Sequence, residues 1–188
     1  MHGIGRLGAA LALGALLLAG GGAARAESAA EIDARVTRAL GVLLASHPAV
    51  AALGREAKAV LVIPQLTRTG LLFAGQFGDG ALRVGGKTEG YYRSVAASHG
   101  LAVGRQPHGY ALFFRSQDAL DHFRARDGWE SGSGPDVLLV ERGGLDVLTD
   151  TRARKDVYAF LFDAQGLLAG LDLEGTRVVR IRPGSATP

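Results

Sequence analysis

One stretch near the end, Asp156–Ile181, limits what this chain can fold into more than any other. Between Val157 and Phe162, the side chains of Tyr158, Phe160 and Phe162 alternate with those of Val157, Ala159 and Leu161, so an extended chain is apolar on both faces. Such a strand is stable only when each face is covered, or when it lines a closed or curled sheet. A turn follows at Asp163–Gly166, then a second strand interrupted by Gly170 and Gly175. The expectation is a central hairpin that the rest of the chain wraps.

With 188 residues the chain can bury one substantial core, and two full domains would be cramped. Residues 1–26 read as a leader rather than as part of that fold. Arg6 precedes an uncharged run from Leu7 to Ala24, and Ala24-Arg25-Ala26 offers small residues where a signal peptidase reads, placing cleavage before Glu27. The rival is an uncleaved anchor, but the run is Gly- and Ala-rich and short of the ~20 apolar residues of a spanning helix. The expected location is therefore periplasmic or secreted. With no cysteine, the chain has neither a lipid-attachment residue nor a disulfide, and its exported part must be held by burial alone. The whole chain has 21 basic and 18 acidic residues, and loss of Arg6 and Arg25 with the leader leaves a balance of only +1. No basic stripe is present, and no nucleic-acid partner is expected.

In chain order, Ser28-Ala-Ala-Glu31 has capping-box spacing ahead of Ile32, Val36, Leu40, Leu43 and Leu44, which share one helical face while Arg35 and Arg38 lie off it. This helix should end near Ser46, because Pro48 disfavours helical backbone at His47. Its apolar face has two possible partners, the domain itself or a membrane surface with Arg35 and Arg38 toward phosphates. A short helix over Ala49–Glu56 and a buried strand Ala59–Ile63 follow. Strands are then expected over Leu71–Phe77, Ala81–Val84, Gly90–Ser98, Gly100–Gly104 and Gly109–Arg115, a helix from Ser116 through Arg126, and a strand Val137–Val140 turned back by Gly143-Gly144. Gly75-Gln-Phe-Gly78-Asp-Gly80 is not a phosphate loop, since no helix opens after it; these glycines read as hairpin turn and bulges.

The residues that carry chemistry argue for binding rather than catalysis. There is no Cys, and no Ser sits in a nucleophile-elbow context. His47, His99, His108 and His122 lack the close paired spacing of a zinc site, so no metal and no cofactor is expected. Asp163, Asp172 and Glu174 read as turn and edge charges.

Several motifs in order resemble the SYLF lipid-binding domain family, over roughly residues 57–181. They are Ala57-Lys-Ala-Val-Leu-Val-Ile-Pro64, Thr69-Gly70 with Gly75 and Gly78-Asp-Gly80, Gly90-Tyr-Tyr92, Tyr110-Ala-Leu-Phe-Phe114 and Asp127-Gly-Trp-Glu130. Asp156-Val-Tyr-Ala-Phe160 and Gly166-Leu-Leu-Ala-Gly-Leu-Asp-Leu-Glu-Gly175 complete the set. Ala59 stands where the family usually has Gly. The resemblance implies a non-catalytic module for anionic phospholipid headgroups or a membrane surface. It also points to Lys58, at a motif position that is usually Lys in the family, as a headgroup ligand.

The reading is an α+β chain: a mostly antiparallel sheet curled into a barrel or sandwich, packed by an N-terminal amphipathic helix and one further helix. A signal peptide over 1–26, a helical segment over 27–56, the SYLF-like domain over 57–182 and a disordered tail over 183–188 make up the chain. Lys58, Arg35 and Arg38 are the candidate ligand-binding residues, expected to converge if the first helix packs beside the first strand. The alternative function is an envelope scaffold or protein-interaction domain, with another envelope protein as partner, and behind it a metal-dependent enzyme.

Overall fold

A computed structural model describes residues 27–69, 74–98, 107–150, 154–169 and 173–184. The expected leader, the strand at Gly100–Gly104, His99, Gly170, Asp172 and the last residues of the expected tail lie outside the described residues. The fold is α+β, with a strongly curled, mostly antiparallel sheet of ten strands.

Helix α1 spans Ala29–Ser46. Its capping box is formed: the Ser28 amide donates to Glu31 Oε2 at 2.8 Å, and Ser28 Oγ accepts from the Glu31 amide. Helix α2 spans Pro48–Glu56 with Pro48 in its first turn, where a missing N–H costs nothing. The strands are β1 (Ala59–Ile63), β2 (Thr67–Thr69), β3 (Ala74–Val84), β4 (Lys87–Ser98) and β5 (Gly109–Phe114). Helix α3 (Gln117–Ala125), capped by Ser116, is followed by β6 (Gly128–Glu130) and β7 (Val137–Leu139). A 3₁₀ segment over Arg142–Leu148 leads to β8 (Val157–Asp163), β9 (Gly166–Leu167) and β10 (Thr176–Ile181). The sheet order is β6-β10-β4-β3-β1-β5-β8-β7, with β2 on β3 and β9 on β8.

The two-faced strand is where the sequence places it, and both faces are covered. Val157, Ala159 and Leu161 join the concave core with Leu61, Leu112, Phe114 and the α3 residues Leu120 and Phe123. Tyr158, Phe160 and Phe162 face the opposite layer with Ile32, Val36 and Leu43 of α1 and Val50 and Leu53 of α2. Val60 and Leu167 are buried as expected, whereas Leu168 is only partly so.

The closing hairpin is shorter than the sequence suggested. Among the described residues only two ladder pairs, Phe162 with Leu167 and Asp163 with Gly166, join β8 to β9, with one further bond from the Leu168 amide to the Leu161 carbonyl. The outer edge of β8 is already shared with β7, which runs parallel to it from Val137 opposite Val157. With no edge free, β10 crosses to the far side of the sheet and pairs with β4 and β6. Gly143-Gly144 therefore lies within the 3₁₀ segment instead of reversing a hairpin. The short β6, read from the sequence only as the end of α3, places Trp129 opposite Val178.

Gly78-Asp79-Gly80, expected as a turn, is the interior of one continuous strand, β3. The tight turn of the β3–β4 hairpin is at Gly85-Gly86, with φ of +55° and +80°, the backbone that a two-residue loop demands. A Cβ at Gly78 would lie 2.1 Å from the Gln65 carbonyl oxygen, and one at Gly80 would lie 1.9 Å from that of Val62. These glycines let β3 close tightly on β1, and the sheet turns sharply there. Tyr110 on β5 shows the result: its hydroxyl lies 2.8 Å from Ser94 Oγ on β4. On a flat sheet the intervening β3 and β1 would hold these strands ~14 Å apart, so only a curled sheet brings the two hydroxyls together.

Two predictions follow from this core. Phe160, 0% exposed, should cost about 3–5 kcal/mol when replaced by Ala, measured by denaturant unfolding; a loss below about 1 kcal/mol would show β8 to be peripheral. Burial pushes the phenols of Tyr92 and Tyr110 above the ordinary tyrosine range, with the Ser94 hydrogen bond acting against it at Tyr110. The folded state therefore keeps these protons after the unfolded chain has lost them, so stability is complete below about pH 10 and falls as pH rises further. Unfolding midpoints taken across that window should fall less steeply in Tyr110→Phe than in the parent.

Candidate functional site

Helix α1 crosses the convex face of the sheet, held by its apolar stripe and by polar contacts on both flanks. Ile32, Val36 and Leu43 are fully buried against the sheet, so this stripe is committed to the domain and is not free for a membrane. On one flank Asp33 gathers the β3–β4 hairpin: Thr88 Oγ1 donates at 2.6 Å, the Tyr91 hydroxyl at 2.9 Å, and Arg83 pairs with it at 3.3 Å. Burial and this carboxylate together raise the Tyr91 phenol above its ordinary range. On the other flank Arg35 pairs with Glu27 and donates to the Asp79 carbonyl at 3.4 Å, while Asp79 accepts two bonds from Arg93 at 2.6 and 2.7 Å.

Arg83 and Asp79 are four residues apart on β3, or ~14 Å along the strand, so the two flanks of α1 face opposite ends of the sheet. Beyond the Arg35 flank no helix among the described residues lies over the convex face. Phe77, two residues before Asp79, and Val95, its cross-strand partner on β4, are 39% and 45% exposed. Opposite Val95 on β10 stands Arg177, and Val179 and Ile181 alternate beyond it on the same face, both partly exposed. A cleft of about 460 Å3 runs along this flank of α1, lined by Glu27, Glu31, Ala34, Arg35 and Arg38. Glu27 is taken by Arg35 and Glu31 by the Ser28 cap. Arg38 and Arg177 are exposed and make no ion pair among the described residues.

The three residues chosen from sequence do not converge. Arg35 and Arg38 share the cleft, but Lys58 precedes β1 at its other end, where its amide donates to the Phe114 carbonyl at 2.8 Å. Continuing the β1–β3 register sets Lys58 beside Gly85, six residues along β3 from Asp79 and therefore ~20 Å away. Its neighbours there are Arg115, which pairs with Glu56 at 3.6 Å and lies 5.9 Å from the Tyr158 ring centroid, and, beyond Asp156, Lys155 paired with Asp136 at 3.3 Å. The reason is the direction of α1: it crosses the strands instead of running beside β1. Phe77 and Val95 had no signal of their own in the sequence, since exposure of a sheet face depends on where a helix stops.

Among the described residues no group of three His, Asp or Glu side chains is placed to hold a metal, and no helix is long and apolar enough to cross a membrane. Asp163 accepts from the Gln165 amide at 2.8 Å, the turn role that the sequence suggested. No protein-family model matches the chain, and no curated protein matches it significantly.

Asp33→Ala strips partners from the Tyr91 and Thr88 hydroxyls and from Arg83. It should lower stability by about 1–3 kcal/mol, read from the shift of a denaturant midpoint. A change below about 0.5 kcal/mol would mean that the apolar stripe alone seats α1.

Proposed function

We propose that this chain is a non-catalytic, exported module that binds membrane surfaces rich in anionic phospholipid, through the convex face beside the Arg35 flank of α1. The observation that carries this reading is the cross-strand pair Phe77 and Val95, 39% and 45% exposed, with Arg177 opposite Val95 and Arg38 on the cleft along α1, both cations without an ion pair among the described residues. Apolar side chains entering the headgroup boundary and cations meeting phosphate are the two terms of surface binding, the second worth about 1 kcal/mol per residue near an anionic leaflet. The motif resemblance to the SYLF family points to the same ligand class. Lys58 and its neighbours Arg115, Arg154 and Lys155 form a second basic region at the other end of the sheet, and the experiment must separate the two.

Co-sedimentation with vesicles of phosphatidylglycerol and phosphatidylcholine, against phosphatidylcholine alone, tests the proposal. The protein should pellet with the anionic vesicles only. Phe77→Asp with Val95→Asp should weaken binding at least tenfold, about 1.4 kcal/mol, with the melting temperature retained. Arg38→Glu with Arg177→Glu should weaken it in a salt-dependent way. Lys58→Glu should pellet like the parent. Loss on Lys58→Glu with full binding by the Phe77/Val95 variant would move the contact to the other end of the sheet, and no pelleting with either vesicle would end the membrane reading.

A further inference from the structure

A second cleft, about 560 Å3, lies at the other edge of the sheet, beyond β1, β5 and β8 from the Phe77 face. The α1–α2 corner, the 3₁₀ segment and the β8–β9 turn border this open cleft, and its walls include His47, Arg142, Asp146, Gln165 and Leu167. Its volume is in the range of small-molecule sites. Gly166 and Leu167, which open the most extended of the motifs noted above, help to line it.

Two of the polar side chains in this cleft are tied to backbone groups. Arg142 donates from Nε and Nη2 to the Leu167 carbonyl at 3.1 and 2.7 Å, which fixes the guanidinium against the wall. His47 caps α2 by accepting the Ala49 amide on Nδ1 at 3.2 Å. Asp146 lines the same cleft from the same 3₁₀ segment as Arg142. Neither Arg142 nor Asp146 forms an ion pair among the described residues, with each other or with another group. Two opposite charges in one cleft that leave each other unpaired select a ligand carrying both. A simple anion would meet Asp146, and a simple cation would meet Arg142; each repulsion opposes binding.

We infer that this cleft binds a small zwitterion, its carboxylate or phosphate on Arg142 and its ammonium group on Asp146. That chemistry occurs in free amino acids, in O-phosphoethanolamine and in the headgroup of phosphatidylethanolamine. The inference does not depend on the Phe77 face, so the Phe77→Asp/Val95→Asp variant serves as a background that should bind normally.

The test is isothermal titration of the full chain with O-phosphoethanolamine, glycine and alanine, against inorganic phosphate and ethanolamine separately, with flotation on phosphatidylethanolamine vesicles as a parallel arm. A zwitterion should bind saturably and at least tenfold more tightly than either half alone. Asp146→Asn, an exposed change, and Arg142→Gln should each weaken it about tenfold or more. Arg142→Gln also removes the tie to Leu167, so Asp146→Asn carries the decision if that variant does not fold. Saturable binding of the soluble compounds assigns a free metabolite. Binding to vesicles alone, lost in Asp146→Asn, assigns the lipid headgroup. Inorganic phosphate binding as tightly as O-phosphoethanolamine, unchanged affinity in Asp146→Asn, or no binding in any arm would overturn the inference.

Discussion

A strand with two apolar faces requires two apolar layers, and β8 imposes that requirement on the whole molecule. One layer is the concave core, where Leu161 and its neighbours meet α3 and where Phe123 stacks against Tyr92 and Phe114 at ring-centroid distances of 4.9 and 5.2 Å. The other is the helical layer of α1 and α2, with Phe113 and Phe160 edge to face at 5.3 Å. Because β5 holds one edge of β8 while β7 and β9 share the other, the chain after Leu167 has no place to pair locally. It must cross to β4, and that crossing joins the last strand to the β3–β4 side of the same sheet.

Curling the sheet around the concave core depends on backbone contacts that only glycine allows. Val62 and Gln65 are approached from β3 at positions where any Cβ would collide with a carbonyl oxygen. The curl leaves a convex face broader than one helix can cover. Helix α1 crosses it from Asp79 toward the β8–β9 turn, with Ser46 at the far end, and no other described helix lies over Phe77 and Val95, which stay partly exposed. The proposed membrane face thus follows from the same geometry that buries β8.

Electrostatics shape that face as much as exposure does. Carboxylates neutralise most of the arginines near α1: Glu27 holds Arg35, Asp79 holds Arg93 and Asp33 holds Arg83. These pairs orient the helix on the sheet and withdraw charge from any ligand. Arg38 and Arg177 retain theirs, which is why they carry the proposed function in place of Arg35.

Local pattern alone determined a good deal of this protein. The capping box and Pro48 set both ends of α1, alternation marked β8 as doubly buried, and Ser116 marked the start of α3, because each depends on residues only a few positions apart. Closely spaced strands with glycine turns likewise implied a curled, mostly antiparallel sheet. The tertiary structure alone decided which strand pairs with which and which charges meet. Gly78 and Gly80 look like turn residues in sequence, and only the proximity of β1 shows them to be contact points inside a strand. Lys58 and Arg35 would converge if α1 packed beside β1, yet the crossing direction of α1 places them at opposite ends of a sheet. The sites followed the same rule: Phe77 with Val95, and Arg142 with Asp146 and His47, are brought together by pairings and packing that no local window contains.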